Sequence, residues 1–151
     1  MEYLISADPT KLDLDLIHKF LSEHSYWARG IPRDVVARSI ANSLCFGAYA
    51  VVNPTAQADW LQVGFARVTT DRATFAYLAD VFILPEHRGK GLSKRLMQAI
   101  LAHPDLQGLR RWMLATADAH ELYQRFGFTG LAEPDRFMQL HNPNVYGSVG
   151  T

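Results

Sequence analysis

The chain is poor in three things. Among its 151 residues it has one cysteine, no surplus of either charge and no long apolar run. A lone Cys45 cannot form a disulfide within the chain, which suits a reducing compartment. It lies in the apolar stretch 44–46, where a free cysteine packs as a small hydrophobe more often than it acts as a nucleophile. Lys plus Arg equals Asp plus Glu at 15 each, so bulk electrostatics give little pull on nucleic acid or an anionic membrane. The N-terminus carries Glu2, Asp8 and Lys11 and no long apolar run, so neither a signal peptide nor a membrane span is expected. The expectation is a cytoplasmic protein with no nucleic-acid or membrane partner and no metal. With no internal repeat or low-complexity linker, 1–151 is expected to be one domain with a real core.

What is present is a succession of short periodic segments. Residues 3–6 read as a strand. Asp13 can cap a helix over 14–21, with Leu16, Ile17, Phe20 and Leu21 on one face. Ser25 to Gly30 reads as a loop, and Pro32 opens a second helix to about 42. Three strands follow, 44–52, 61–69 and 73–84, as an antiparallel meander, the second alternating Leu61, Val63 and Phe65 against Gln62, Gly64 and Ala66. A helix over 91–102 carries Leu92, Leu96, Met97, Ile100 and Leu101 as its stripe. A strand over 111–116 and a helix over 119–126 come next, capped by Thr116 or by Asp118, whose spacing from Glu121 fits a capping box. Residues 129–131 and 137–141 read as two last strands. The mixed order implies α+β, or a mixed α/β sheet.

Chemistry concentrates where the long strand meets the helix. His87, Arg88, Lys90, Lys94 and Arg95 fall within nine positions, and Gly89 and Gly91 alternate with the first cations. A helix N-terminus offers free N–H groups and a positive dipole end, and glycine lets backbone approach an anion. Together these make a phosphate cradle. A Walker A loop would need glycine where Leu84 stands, and a dinucleotide fingerprint would need it at Lys94.

Arg88-Gly89-Lys90-Gly91-Leu92-Ser93 resembles instead the acyl-CoA loop of the GNAT superfamily of N-acetyltransferases, [RQ]-x-x-G-x-[GA]. Asp80-Val81-Phe82-Ile83-Leu84-Pro85 looks like that family's central strand. Ala119-His120-Glu121-Leu122-Tyr123-Gln124-Arg125-Phe126-Gly127-Phe128 is similar to its A-x-x-L-Y-x-x-x-G-F helix. Two positions depart: Ser93 replaces the usual Gly or Ala, and Thr116 stands where many relatives carry Asn.

The resemblance implies a mostly antiparallel, twisted sheet of six to seven strands flanked by about four helices. It implies acetyl-CoA as co-substrate, with the pyrophosphate on Arg88, Gly89, Lys90, Gly91, Leu92 and Ser93, and Thr116 near the cofactor. It places the pantetheine arm against the backbone of Val81 and Ile83, with the Val81 N–H toward the thioester carbonyl. Tyr123 takes the family's position for the acid that protonates the leaving thiolate; the alternative is a packing tyrosine on an amphipathic helix. Asp80 is the candidate base or anchor for a cationic substrate; the alternative is a surface or bulge aspartate, and the residues alone leave the two level. His120 and Glu121 are weaker candidates. The acceptor site is expected at the helix connection, on Tyr26, Trp27 and Arg29, with Arg33 nearby; aromatic packing is the level alternative. Homodimers are common in the superfamily, and no interface is legible in the sequence.

The function so implied is transfer of an acyl group from acetyl-CoA to a primary amine of a small molecule, by direct attack in a ternary complex. A non-catalytic acyl-CoA-binding module of the same fold is the alternative.

Overall fold

A computed structural model describes residues 2–53, 55–56 and 59–147. Its elements follow the expected order closely. They are β1 (Glu2–Ser6), α1 (Leu14–His24), α2 (Arg33–Ala41), β2 (Leu44–Val51), β3 (Trp60–Thr70), β4 (Phe75–Ile83), α3 (Leu92–Ala102), β5 (Arg111–Leu114) and α4 (His120–Gln124). Asp13 starts α1 as expected: its carboxylate accepts from the Leu16 N–H at 3.1 Å, satisfying one orphan donor of the first turn. Pro32, at φ −67°, stands just before α2. The strands form one sheet in the order β1-β2-β3-β4-β5. The first four pair antiparallel, and β5 lies parallel to β4, with α3 in the crossover between them.

Both faces of the sheet are covered. On one, Leu92, Leu96, Met97 and Ile100 of α3 pack with Phe46, Ala66, Val68 and Leu78. On the other, Ile17, Phe20 and Leu21 of α1 and Val36 of α2 pack with Cys45, Phe65 and Phe82. Each large buried side chain contributes about 1.5–3 kcal/mol through removal from water. Because β2 is sandwiched between these layers, all eight of its residues are buried, and the strand reads as an apolar run rather than an alternation.

Three expectations are corrected. The sheet has five strands among the described residues, not six to seven. Residues 129–131 and 137–141 carry no strand pairing. Gly130 weakens the first, and the second follows a tight turn at Pro134–Arg136. Met138 and Leu140, two apart on one face, are fully solvent-exposed, so the period-two pattern is real but meets no partner strand. In β3 the alternation is reversed at its start: Leu61 is exposed and Gln62 buried. Gln62 tolerates burial because its Oε1 accepts from the Asp13 N–H at 2.7 Å and its Nε2 donates to the Gly64 carbonyl at 3.0 Å. Finally, α4 is only five residues long. Neither expected cap holds it: its N-cap is Ala119 with no side-chain cap bond, and the Thr116 Oγ1 accepts from the Ala119 N–H at 3.0 Å just ahead of the helix.

The β3–β4 turn is organised by Asp71. Its carboxylate accepts from the Thr74 hydroxyl and from the N–H groups of Thr74, Ala73 and Phe75. These bonds, led by the Thr74 hydroxyl, hold its carboxyl well below the usual carboxylate range. A depressed folded-state pKa stabilises the fold above the unfolded value near 3.9 and loses that contribution as pH falls below it. Asp71→Asn is therefore expected to make the loss of stability below about pH 4 shallower. Urea midpoints from pH 6 down to 2 check this, and an unchanged acid limb would refute it.

Candidate active site

The site starts from a fault in β4. Phe65 pairs with Phe82 and Arg67 with Ala79, so Asp80 and Val81 together face Ala66. That is a β-bulge. Asp80 takes φ +56° to make it, a left-handed conformation that aspartate tolerates better than most residues. On the other edge of β4, pairing with β5 ends at Leu78 opposite Leu114. Beyond that point the strands part, leaving a cavity of about 420 Å³. Tyr26, Trp27, Asp80, Val81, Thr116 and Tyr123 all line it. Six residues chosen from the sequence, from four separate segments, thus meet in one place.

The backbone of β4 is presented to this gap. The Leu84 N–H donates to the Val63 carbonyl at 2.8 Å. By the strand period Phe82 also faces β3, and the polar backbone groups of Val81 and Ile83 face away from it. The Ile83 carbonyl is already occupied: Arg88 Nε donates to it at 2.9 Å.

Asp80 is held by two donors. Arg67 Nε donates to one carboxylate oxygen and Trp27 Nε1 to the other, each at 2.8 Å. Arg67 also donates to the hydroxyls of Ser43 and Thr69, at 3.2 Å each. The side chains of Arg67 and Asp80 are 20% and 10% exposed. Asp80 is therefore neither a surface residue nor bonded only to backbone. An ionised carboxylate has about four lone-pair directions, and two here remain for a water or an amine.

The adjacent Tyr26 reaches the opposite wall. Its hydroxyl accepts from the Ala117 N–H at 3.0 Å, and its ring meets Trp27 edge-on at 4.9 Å. Arg29 is exposed and does not line the cavity. Arg33, also exposed, pairs with Asp15. Tyr123 is buried in the wall formed by α4. Burial, with smaller contributions from Tyr26 and Asp118, pushes its phenol up to about 12, so near neutrality it is a protonated donor. His120 and Glu121 are exposed. Cys45 lies nearby, but burial pushes its thiol up to about 12, which makes it a packing side chain and a poor nucleophile.

At the far end of β4 the chain turns through Gly89 and Gly91, at φ +77° and +75°, into α3. Nothing lies within 4 Å of a Cβ built at either glycine. Their requirement is thus backbone conformation, and the space above them is open to an anion. Lys90 is exposed and Ser93 half-buried. Leu92 is buried in the core, leaving only its backbone for a ligand. Among the described residues no group of three or more His, Cys, Asp or Glu side chains could hold a metal, and no helix is long and apolar enough to cross a membrane.

Sequence reasoning missed Arg67 and the Tyr26–Ala117 bond. Arg67 had a signal: it is the one charge in β3, as Asp80 is in β4. The Tyr26 contact spans 91 residues and had none.

A bulged, splayed strand pair beside a glycine-turned helix start is the arrangement to be compared with known proteins. The acetyltransferase (GNAT) domain family matches residues 48–130, more than half of the chain. A proposed acetyltransferase of Gibberella zeae, FG08082, is 39% identical over 136 residues, covering 81% of this chain and 76% of that protein. The crystal structure of a proposed GNAT-family acetyltransferase from Xanthomonas campestris superposes with a TM-score of 0.88 at 51% identity, over 97% of each chain. Glucosamine-6-phosphate N-acetyltransferase from Arabidopsis thaliana shares the fold, with a TM-score of 0.62 at 12% identity, over 94% of this chain and 98% of that one. The chain belongs to the GNAT acetyltransferase family.

Removing one partner of a poorly solvated ion pair leaves the other charge uncompensated. Arg67→Met and Asp80→Asn are each expected to cost about 3 kcal/mol, and the double variant less than the sum of the two. Denaturant unfolding of all four proteins measures the coupling, and strictly additive losses would show that the pair contributes none.

Proposed function

We propose that this protein transfers the acetyl group of acetyl-CoA to a primary amine of a small molecule, by direct attack in a ternary complex. The observation that carries the reading is the gap between β4 and β5, with Tyr123 in its wall and the glycine turn at the end of β4. The residues present fit the cofactor: the turn offers open space over two left-handed glycines at a helix N-terminus, beside Arg88 and Lys90. Acetyl-CoA supplies an activated carbonyl and a thiolate leaving group.

The chain's own residues supply the rest. The turn from Arg88 to Ser93 holds the pyrophosphate, with Leu92 taking part through its backbone. The backbone edge at Val81 and the N–H of Ile83 align the pantetheine arm as an added strand aligns. The Val81 N–H donates to the carbonyl oxygen as negative charge develops there. The protonated Tyr123 hydroxyl donates to the departing sulfur. Trp27 and Tyr26 form the acceptor wall, and Asp80, fixed by Arg67 and Trp27, takes the amine proton through a water or orients the amine. Thr116 shapes the cofactor side by fixing the turn that leads into α4. Arg29, exposed at the same connection, contacts only an acceptor that extends out of the cavity.

Calorimetric titration of ligand-stripped protein with acetyl-CoA is expected to give one saturable site that Gly91→Glu loses. An absence of binding to well-folded wild type would remove the enzymatic reading. With an accepted amine, Tyr123→Phe is expected to lower kcat by about 10²-fold or more while leaving acetyl-CoA binding nearly intact. Equal turnover by that variant would strip Tyr123 of the acid role. Tight binding with no CoA release across a broad amine panel would favour a non-catalytic acyl-CoA sensor.

A further inference from the structure

Two residues that line the gap between β4 and β5 have no part in the acyl transfer itself: Tyr77 of β4 and Asp118, ahead of α4. Tyr77 lies opposite Met113, one pair before the strands part, and it is 36% exposed. With Tyr26 and Trp27 it sets three exposed aromatic rings around one cavity. Asp118 is exposed, and its carboxylate has no hydrogen bond or ion pair among the described residues. It stands close enough to Tyr123 to help push that phenol up, so its charge reaches the end of the cavity where the leaving thiolate forms.

The lining carries charge of one sign. Asp80 and Asp118 are in it, and no lysine, arginine or histidine is. The two carboxylates differ in what stands behind them. Arg67 offsets Asp80, and its remaining bonds go to Ser43 and Thr69. Asp118 has no such partner among the described residues. Arg29 and Arg33 lie outside the lining, and Arg33 is paired with Asp15. An acceptor carrying a carboxylate or phosphate meets no cation here and is opposed by Asp118. An acceptor with a second ammonium is drawn to that same charge, and aromatic rings hold a cation over their faces. A cleft lined by one sign of charge also gathers ligands of the other.

We infer that the acceptor is a diamine, with Asp118 reading the cation at its far end and the rings of Tyr26, Trp27 and Tyr77 enclosing its apolar middle. The inference rests on the acyl-transfer reading of the gap and narrows its acceptor to one charge class. Asp118 is then a specificity-determining residue: it selects the acceptor, and the transfer proceeds without it.

The test measures kcat and KM with acetyl-CoA and three acceptors that differ at the far end: putrescine, butylamine and γ-aminobutyrate. Wild type is expected to prefer them in that order. Asp118→Asn, at an exposed position and with its folding checked by circular dichroism, is expected to lower kcat/KM for putrescine about fivefold through KM, the scale of one exposed ion pair. It is expected to leave butylamine unchanged and to improve γ-aminobutyrate. The basicity of each amine is the same for both proteins, so the change in ratio reports Asp118 alone. Asp118→Lys is expected to reverse the order. A wild-type preference for γ-aminobutyrate would overturn the inference. So would an equal change with all three acceptors in Asp118→Asn, which would show Asp118 acting through Tyr123. Acetyl-CoA binding without turnover of any of the three would overturn it too, and leave the cofactor reading standing. Without acetyl-CoA binding both readings fall together.

Discussion

The clamp on Asp80 is the interaction on which the rest of the site depends. A carboxylate set in an apolar strand is costly to bury unless it is partnered. Arg67 and Trp27 partner it from different directions, one from the neighbouring strand and one from outside the sheet. Together they hold a non-glycine residue at positive φ, a conformation that persists only where the surroundings over-determine it. The bulge so held sits two residues beyond the last β4–β5 pair. One local fault in strand geometry thus accompanies the opening of the sheet and brings an anion to its edge.

Around that fault the fold divides its labour. The α3 layer and the α1–α2 layer each build a core on their own face of the sheet. The α3-side core reaches the opening, since Leu78 and Tyr123 belong to it and also line the gap. Phe82 illustrates the separation. It lies within the segment that runs from the bulge to the glycine turn, yet its ring is stacked on Phe20 in the α1 layer. Its backbone neighbours Val81 and Ile83 direct their polar groups the other way, because a strand alternates.

Most of this was legible in the sequence, for reasons that can be named. Helix starts were marked by Asp13, Pro32 and Gly91, each acting through local geometry that needs no tertiary partner. The turn into α3 was marked by Gly89 and Gly91, whose φ is positive in the fold. Pairing partners were harder. Residues 137–141 alternate like a strand, and nothing local says that no neighbour will meet them. Gln62 looks like a surface residue until the Asp13 N–H, 49 positions away, is brought to it. The capping box at Asp118 did not form, because Thr116 bonds the N–H groups of Asp118 and Ala119 in a local turn instead, and sequence spacing does not rank such competing solutions. Arg67 and Asp80 were each visible as a lone charge in an apolar strand. Their pairing became apparent only with the register that sets Arg67 opposite Ala79.

Tyr26 and Trp27 are consecutive, yet they are fastened to opposite walls. Tyr26 holds the backbone just beyond β5, and Trp27 holds the bulge of β4. Two neighbouring residues of a loop outside the sheet therefore span the opening like a tie rod. The width of the gap and the positions of the two rings cannot vary independently. Whatever seats itself against those two rings also sets how far the strands stand apart, which makes the loop and the opening one mechanical variable.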